Sequence, residues 1–475
     1  MLSYFRLNDP FKVISVFILL LLFKLPILLA GEVLTIQELN WMLLGERLAQ
    51  GKLIYAEAID NTAPLSALVY WIIFSLFGKS WLALHIIAIF LICFQGFYLN
   101  QGFNKTRVFN EKTYVPLLIY VLFTMVSFDL STLSPALMSV TFLTMTLKNI
   151  LHLDSKSPIT DLFKIGFYLG LSTLFYLPAV VFLPASILLF ALFRTSSIRA
   201  LLNIFSGFLL TIVLLLLFFI FQGNLGDFYR YFIKSIFLSK TWIYDINLLL
   251  YLFGFPLVVL LVSIVKLKTS RGFINYQQNS HWLIIIWTLF TFAALVISPK
   301  LSSTSIIIFA PVFSFFFSQF LLMQRKRWLA EVQLLVSLGI ILSITYTLFF
   351  QIGTTASQYQ NIVVDTKKEK KQQKIMILGN QIESYYGNTI ASPFINWKIS
   401  EAYVGDLDTY TVINFVKNSI LEDRPELIID HSENKISETI FSRIPLLYNY
   451  YDVSSDSSII VYRQKNSTAK AVSVQ

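Results

Sequence analysis

Carboxylates that could act as acids or bases are concentrated in one stretch of the chain, residues 32–62, the first loop. Glu32, Glu38, Glu57 and Asp60 all lie in it. A carboxylate can take a proton from an acceptor hydroxyl as a general base when it is held close to the reacting atom. The first loop therefore supplies the catalytic candidates, of which we single out Glu38, Glu32 and Asp60.

The residues after Glu38 have the spacing of a helix that lies along a membrane surface. Apolar side chains form a broad face through Leu39–Leu48, while Glu46 and Arg47 fall largely off that face. Trp41 is a typical interfacial anchor. We predict an interfacial helix that holds the acids near the bilayer; a solvated amphipathic loop is the plainer interpretation.

The elements that position these acids must be membrane helices. Of 475 residues, 56% are hydrophobic and 13% are charged, about half the charged share of a soluble domain. This composition excludes a soluble enzyme and a disordered chain. The single cysteine, Cys93, excludes a disulfide scaffold. The chain is predicted to be a polytopic α-helical membrane protein.

The net charge of +10 is interpreted as a topology signal. Residues 1–351 carry 24 Lys and Arg against 13 Asp and Glu, whereas residues 352–475 carry 13 against 14. Short basic loops between apolar runs favour the cytoplasmic side. Nucleic-acid binding would need a dense basic face on a folded domain, so no nucleic-acid partner is predicted.

Apolar runs near the length of a membrane span recur through residues 13–350. The run Ile165–Phe193 is too long for one crossing, and Pro178 and Pro184 predict two short helices that meet at a break. Lys24 and Pro26 interrupt the first run, which argues against a cleaved signal peptide. The remaining runs are Val13–Ala30, Ala63–Phe77, Leu82–Leu99, Val115–Phe128, Leu133–Leu151, Leu201–Phe221, Leu248–Val265, Trp282–Ile297, Ser303–Met323 and Glu331–Phe350.

The basic loops leave one inconsistency near the start of the chain. The loops around Lys105, Arg194, Lys266 and Arg325 should all be cytoplasmic, as should the N-terminus. Simple alternation then places the first loop on the wrong side. One span before Lys105 is therefore missed, or one crosses only half of the membrane, and we expect 11 to 13 spans.

The chain changes character after Phe350. We predict a membrane domain (1–351), a polar linker (352–374) and a small extracytoplasmic α/β domain (375–475). Short apolar runs of strand length and one segment with helical spacing support the α/β assignment. These are Ile375–Leu378, Leu427–Asp430, Ile459–Tyr462 and Tyr410–Leu421.

A series of short motifs follows a distinctive order between Gln37 and Ser80. They are Gln37-Glu38, Gly45-Glu46-Arg47-Leu48, Gly51, Tyr55, Asp60-Asn61-Thr62-x-Pro64-Leu65, Tyr70-Trp71 and Phe77-Gly78-x-Ser80. This order resembles the first-loop signature of GT-C superfamily glycosyltransferases, in particular the protein O-mannosyltransferase and aminoarabinose-transferase-like group. The glycine-containing helix and proline break of Gly166–Pro184 and the tail from Ile375 resemble the same group more weakly.

The resemblance implies a GT-C-like glycosyltransferase of the bacterial inner membrane that moves a sugar from a polyprenyl-phosphate carrier to an acceptor outside the cytoplasm. Basic groups, or a divalent metal as a candidate cofactor, would offset the charge of the leaving phosphate. Three positions depart from the family pattern: Gln37 replaces an Asp, Tyr176 replaces a Lys, and Ser303–Ser305 replace an Arg or His. Asp129 corresponds to the family's later acid.

Beside the three acids, seven residues are predicted to bind substrate: Arg47, Tyr55, Asn61, His85, Asp129, Arg230 and Lys234. For His85 an interhelical hydrogen bond is the plainer interpretation. Arg230 and Lys234 lie in an aromatic-rich segment, Asp227–Asp245. We interpret this segment as a second interfacial helix whose basic groups contact lipid phosphates in general. No His or Cys spacing indicates a zinc site.

Two functions stay open at this point. One is an active transferase that uses Glu38 or Glu32, with Asp60 helping. The other is a catalytically inactive GT-C-fold scaffold or subunit of a membrane complex. A transporter of lipid-linked sugar ranks last, because only Lys24 and His85 lie well inside the predicted spans.

Overall fold

The chain folds into two compact units, neither of which is continuous in sequence. The computed structural model describes residues 1–31, 33–153, 158–193, 198–237, 241–242, 246–269, 273–350, 352, 362–364, 372–405, 407–456 and 459–465. The first unit comprises Met1–Glu32, Leu82–Gly223 and Ile236–Ile362, and the second comprises Val33–Trp81, Asn224–Ser235 and Val363–Gln475. Glu32 itself, most of the predicted linker and the end of the predicted second interfacial helix lie outside the described residues.

Helices make up nearly all of the first unit. In chain order the helices before residue 350 are α1 (Leu2–Arg6), α2 (Lys12–Leu29), α3 (Ile36–Ala49), α4 (Pro64–Phe77), α5 (Trp81–Thr106), α6 (Val115–Thr124), α7 (Pro135–His152), α8 (Ile159–Phe175), α9 (Phe182–Phe193), α10 (Ile198–Gln222), α11 (Leu225–Phe228), α12 (Ile246–Thr269), α13 (Asn275–Ile297), α14 (Ser303–Ile306), α15 (Ala310–Leu322) and α16 (Arg327–Phe349). Of these, α3, α4 and α11 belong to the second unit. A two-residue parallel pair joins β1 (Thr241–Trp242) to β2 (Lys300–Leu301).

Seven helical segments in the described part of the chain are long and apolar enough to cross a membrane: α2, α5, α10, α12, α13, the continuous stretch Ser303–Leu322, and α16. Shorter apolar helices lie at Pro64–Phe77, Val115–Thr124 and Leu177–Phe193. Large apolar side chains such as Leu22, Phe90 and Val265 are exposed on the long helices, as expected where lipid replaces water. The predicted polytopic helical membrane protein is confirmed.

The predicted proline break is present in the first unit. α8 ends at Phe175, a 3-10 turn at Leu177–Val181 contains Pro178, and α9 begins at Phe182. Proline lacks the N–H that would continue the helical hydrogen bonds, so the helix stops there.

Glycines let α8 and α10 approach each other closely. A Cβ added to Gly166 would collide with the backbone of Ile204, and one added to Gly207 would collide with the backbone of Phe163. Small residues spaced by four allow such contacts between membrane helices, where dispersion rather than hydrophobic burial holds the pair together. The pattern Gly166-x-x-x-Gly170 is therefore a packing motif.

The second unit combines the first loop with the predicted α/β domain. Its five-stranded sheet has the order β4-β3-β5-β7-β6, in which β4, β3 and β5 are parallel and β7 and β6 are antiparallel. The elements are β3 (Lys374–Leu378), β4 (Thr389–Ile390), α17 (Trp397–Val404), α18 (Tyr410–Asp423), β5 (Leu427–Asp430), α19 (Ile436–Arg443), β6 (Tyr451–Asp456) and β7 (Ile459–Gln464). The predicted strands and helix are confirmed, and β4, β6, α17 and α19 are additional. The predicted boundaries at 351 and 375 stay a prediction.

Helix α4 is our candidate for the source of the inconsistency in the charge pattern. It has 14 residues, about 21 Å at 1.5 Å per residue, which is short of the roughly 30 Å hydrocarbon core. It packs closely on α3, where Tyr70 stacks on Trp41 with ring centroids 5.6 Å apart. We predict that α4 lies in the interface rather than across the membrane, in which case α2 and α5 carry the chain out and back, as the basic loop at Lys105 indicates.

Candidate functional site

A buried lysine lies among the membrane helices of the first unit. Lys24 of α2 is 1% exposed, and its ammonium donates to His85 Nδ1 of α5 at 3.1 Å and to the Ser131 carbonyl at 2.6 Å. His85 is equally buried. Ionisable residues inside membrane helices are costly to bury and commonly mark functional sites.

The acid Asp129 lies in the same 3-10 turn as Ser131. Its carboxylate accepts hydrogen bonds from the hydroxyls of Ser127 and Ser303. α14, which begins at Ser303, packs against this turn. Ser131 and Asp129 thus connect the lysine–histidine pair to α14, and together they form one buried polar cluster.

Tyr176, at the proline break, adjoins the residues that lead into α14. Its hydroxyl donates to Ser298 Oγ at 2.8 Å and is also hydrogen-bonded to the Ser305 side chain. Ser302 Oγ lies 3.2 Å from Ser305 Oγ. We call Lys24, His85, Asp129, Tyr176 and Ser303, with the seryl groups that bind them, the polar cluster.

An apolar cavity of about 200 Å³ adjoins the same segment. Leu301 and Ile306 line it, while Ser303 between them bonds to Asp129. Its other walls come from α6, α12, α13 and α15, and include Gly254. Cavities of this size bind small apolar molecules. The segment 301–306 therefore contributes polar side chains to the cluster and apolar side chains to the wall of the cavity.

Glu38 has a structural task at the start of α3. The Thr35 hydroxyl accepts from the Glu38 N–H at 3.2 Å, and Glu38 Oε2 accepts from the Thr35 N–H at 2.8 Å, a complete capping box. The side chain is fully buried. The structure therefore gives this predicted base a role in helix capping.

Asp60 is also held by neighbours, with both carboxylate oxygens engaged. Oδ2 accepts from the N–H and hydroxyl of Thr62, and Oδ1 accepts from Asn396 Nδ2 at 3.3 Å. The same Asn396 amide donates to Asn61 Oδ1 at 3.2 Å. The two predicted residues are brought together by a residue of the C-terminal part.

The charged side chains of α3 are buried, contrary to the predicted interfacial helix with a solvated charged face. Arg47 is 2% exposed and pairs with Asp423 at 2.6 Å, while Glu46 pairs with Lys79 at 2.7 Å. Trp41 is likewise buried. The reason is tertiary: the face that local spacing assigns to water packs on other parts of the second unit. Arg47 is accordingly a residue of the protein's interior, and its role as a substrate ligand is only a prediction.

Burial shifts the pKa of both members of the Glu46–Lys79 pair. Burial raises the pKa of Glu46, and the charge of Lys79 offsets only part of that rise. Burial also lowers the pKa of Lys79, against the opposing effect of Glu46. Lys79 additionally donates to the carbonyls of Tyr385 and Asn388, so it links α3 to the sheet.

The remaining predicted ligands of the second unit are divided between interior and surface. Tyr55 is fully buried, adopts φ +68°, and donates to the Thr62 carbonyl at 2.7 Å. Burial, followed by the negative charge of Asp60, raises the pKa of Tyr55 well above its ordinary value. Arg230 and Lys234 are exposed on the helical turns that follow α11. The Arg230 guanidinium lies 5.8 Å from the ring of Tyr403.

Three of the residues that organise these sites were not predicted: Lys24, Lys79 and Asn396. Lys24 carried a signal, since a lysine interrupting an apolar run must find a polar environment. Asn396 carried none, because its partners precede it by more than 330 positions. Within the described residues, no group of three or more His, Cys, Asp or Glu side chains could hold a metal ion.

The comparisons with known proteins concern the fold. No family model and no curated protein matches the chain. It is similar to ArnT from Cupriavidus metallidurans bound to undecaprenyl phosphate, with a TM-score of 0.53, 11% identity, and coverage of 96% of this chain and 97% of that one. It is also similar to the apo state of that protein, with a TM-score of 0.50, 11% identity, and coverage of 91% and 93%. The chain therefore has the fold of ArnT, as the resemblance of its first loop predicted.

Proposed function

We propose that this protein is a GT-C-type membrane glycosyltransferase that uses a sugar carried on a polyprenyl phosphate. The observation that carries the proposal is the polar cluster of the first unit beside an apolar cavity. His85, Asp129, Tyr176 and Ser303, at four positions where the resemblance implied ligands, belong to that cluster. The fold of ArnT, which binds undecaprenyl phosphate, supports the choice of carrier.

The chemistry of the cluster suits a lipid phosphate. A phosphate that leaves a sugar carries negative charge, which a cation in a water-poor site stabilises strongly. Lys24 supplies that cation where the family's basic positions hold Tyr176 and Ser303. Hydroxyl groups of the cluster can donate to phosphate oxygens. An apolar prenyl segment would occupy the cavity lined by Leu301 and Ile306.

The base would be a carboxylate of the first loop. Glu38 and Asp60 are the two candidates that the structure describes, and either would take the proton of the acceptor hydroxyl as the acceptor oxygen bonds to the sugar. The bond between the sugar and the phosphate breaks in the same transfer, and the polyprenyl phosphate leaves. The sugar and the acceptor are not specified by these residues.

Binding of the carrier is the most direct test. The purified protein in detergent should bind undecaprenyl phosphate in preference to undecaprenol in native mass spectrometry. Lys24→Met should reduce that preference about tenfold or more, since a charge-assisted hydrogen bond contributes about 1.5–3 kcal/mol. Equal binding of the two lipids by the native protein would contradict the proposal.

Two glycine variants test the cavity separately from the charge. A Cβ on Gly254 or on Gly339 meets no atom within 4 Å, so both sites accept a larger side chain. Only Gly254 lines the cavity. Gly254→Leu should weaken binding of both lipids, whereas Gly339→Leu should leave binding unchanged. If the two variants behave alike, the cavity is not the prenyl site.

A second candidate function is a GT-C-fold subunit without catalysis. The observation that favours it is the engagement of both loop acids in structural hydrogen bonds, Glu38 with Thr35 and Asp60 with Thr62 and Asn396, together with the neutral Gln37. This function predicts tight co-purification with other membrane proteins and no sugar transfer. Isolation of the protein alone, with lipid-linked sugar bound, would contradict it.

A further inference from the structure

We propose that the C-terminal domain positions the first loop, and that Asn396 is the positioning residue that orients Asp60 and Asn61. The effect on transfer rests on the proposed function, but the effect on loop structure does not. All of the contacts involved lie within the second unit.

The loop has little regular structure of its own to hold its shape. Between the end of α3 at Ala49 and the start of α4 at Pro64 there is no helix, and the pairing consists of isolated bridges, one joining Ile54 to Ala58 and another joining Ile59 to Phe394. The segment has internal hydrogen bonds, including those from Tyr55 to Thr62 and from Thr62 to Asp60, and contacts from outside the segment add to them.

The segment 393–396 holds the loop on both sides of Ile59. The Ile59 N–H donates to the Pro393 carbonyl at 2.7 Å, and the Asn396 N–H donates to the Ile59 carbonyl at 3.2 Å. Ile59 itself is 1% exposed. These backbone bonds set the position at which the Asp60-Asn61-Thr62 motif begins.

The Asn396 side chain then orients the motif. Its amide nitrogen donates to one oxygen of Asp60 and to the side-chain oxygen of Asn61. The primary amide of Asn396 has two N–H donors, one for each of these two oxygen acceptors. Although Asn396 directly precedes α17, its side chain makes no capping hydrogen bond to that helix, so its polar group serves the loop.

Ion pairs fix the other end of the same loop. Arg47 bonds to Asp423, to Gln50 and to the Glu57 carbonyl. Lys52 bridges Glu57 and Glu422 at 3.3 and 2.8 Å. Both ends of residues 47–61 are thus tied to the C-terminal domain, and this domain, together with Thr62 of the loop, orients the carboxylate of Asp60.

The experiment compares Asn396→Ala and Asn396→Asp with Asn418→Ala, an exposed asparagine of α18. Asp is as good as Asn before a helix, so Asn396→Asp spares α17 while it turns an acceptor toward Asp60. Hydrogen–deuterium exchange of the full protein should show faster exchange at residues 59–62 in both Asn396 variants and no change in Asn418→Ala.

Transfer kinetics provide the second readout. Both Asn396 variants should lower kcat by about fivefold to tenfold, the equivalent of one hydrogen bond, with KM for the lipid-linked donor unchanged. Native exchange at residues 59–62 and native kcat in Asn396→Asp would overturn the inference. If the unaltered protein transfers no sugar while the exchange result holds, the proposed function fails and the positioning of the loop stands.

Discussion

Arg47 of the first loop and Asp423 of α18 form a 2.6 Å ion pair in which the side chains are 2% and 6% exposed. The two residues are 376 positions apart. A buried pair of this kind is costly to break, since the remaining charge stays in a low-dielectric environment without its partner. The pair is therefore a structural connection between the loop and the C-terminal domain.

Removal of either partner should destabilise the protein unequally. Asp423→Leu leaves the Arg47 guanidinium buried without its carboxylate partner, and we expect the free energy of unfolding to fall by about 3 kcal/mol. Arg47→Met should cost less, because Lys52 Nζ remains 3.8 Å from Asp423. Thermal unfolding in detergent measures both, and the double variant should lose less than the sum of the two. Additive losses would show that the pair is not coupled.

Replacement of Lys79 by Met should make stability depend on pH. Without Lys79, only the hydrogen bond from the Ile390 backbone and the charge of Arg47 oppose the effect of burial, so the pKa of Glu46 rises further. A carboxyl whose folded pKa lies above its unfolded value costs stability when ionised and none when protonated. The deficit of the variant should thus be largest at neutral pH and shrink as the pH falls through the raised pKa.

Melting temperatures at pH 5 and pH 7.5 would measure this, with the double variant Glu46→Gln/Lys79→Met as the control. That variant carries no charge at either position, so its deficit should be the same at both values. A deficit of Lys79→Met that does not change with pH would contradict the role given to Glu46.

Glu38→Gln separates the capping role of this residue from a catalytic one. Gln at the third helical position can complete a capping box as Glu does, so the melting temperature should stay close to that of the native protein. Transfer from polyprenyl-phosphate-linked sugar in proteoliposomes should be abolished if Glu38 is the base. Thr35→Ala is the matched control, and should cost about 1 kcal/mol of stability. Full activity of Glu38→Gln would leave Glu32 and Asp60 as the candidates.

The chain segments that form the second unit predict part of the membrane topology. Residues 33–81, 224–235 and 363–475 form one compact unit, so they must share one side of the membrane. With α4 in the interface, the basic loops predict that this unit lies outside the cytoplasm.

Single cysteines in a Cys93→Ser background test this topology with an impermeant thiol reagent. Ala49→Cys and Asn434→Cys, both at exposed positions, should react in intact spheroplasts, whereas Lys112→Cys should react only after lysis. Protection of Asn434→Cys in intact cells would place the C-terminal domain in the cytoplasm.

Much of this architecture follows from local patterns in the sequence. Low charge and long apolar runs determine a helical membrane protein, and Pro178 breaks a helix wherever it lies, because the missing N–H is a property of the residue. The strands at Ile375–Leu378 and Leu427–Asp430 follow from short apolar runs. The order of motifs in the first loop was enough to predict the fold.

Tertiary structure alone decided which polar residues meet. The apolar spacing of α3 predicts that Glu46 and Arg47 are exposed to water. In the folded protein both are buried, because Lys79 and Asp423 pack against them and supply opposite charges. In the sequence Lys24 only interrupts an apolar run. In the structure His85 and Ser131 supply the acceptors for its ammonium group. Hydrophobic periodicity predicts which face of a local segment is exposed to solvent. It does not predict a buried charge, which depends on partners that the fold brings from elsewhere in the chain.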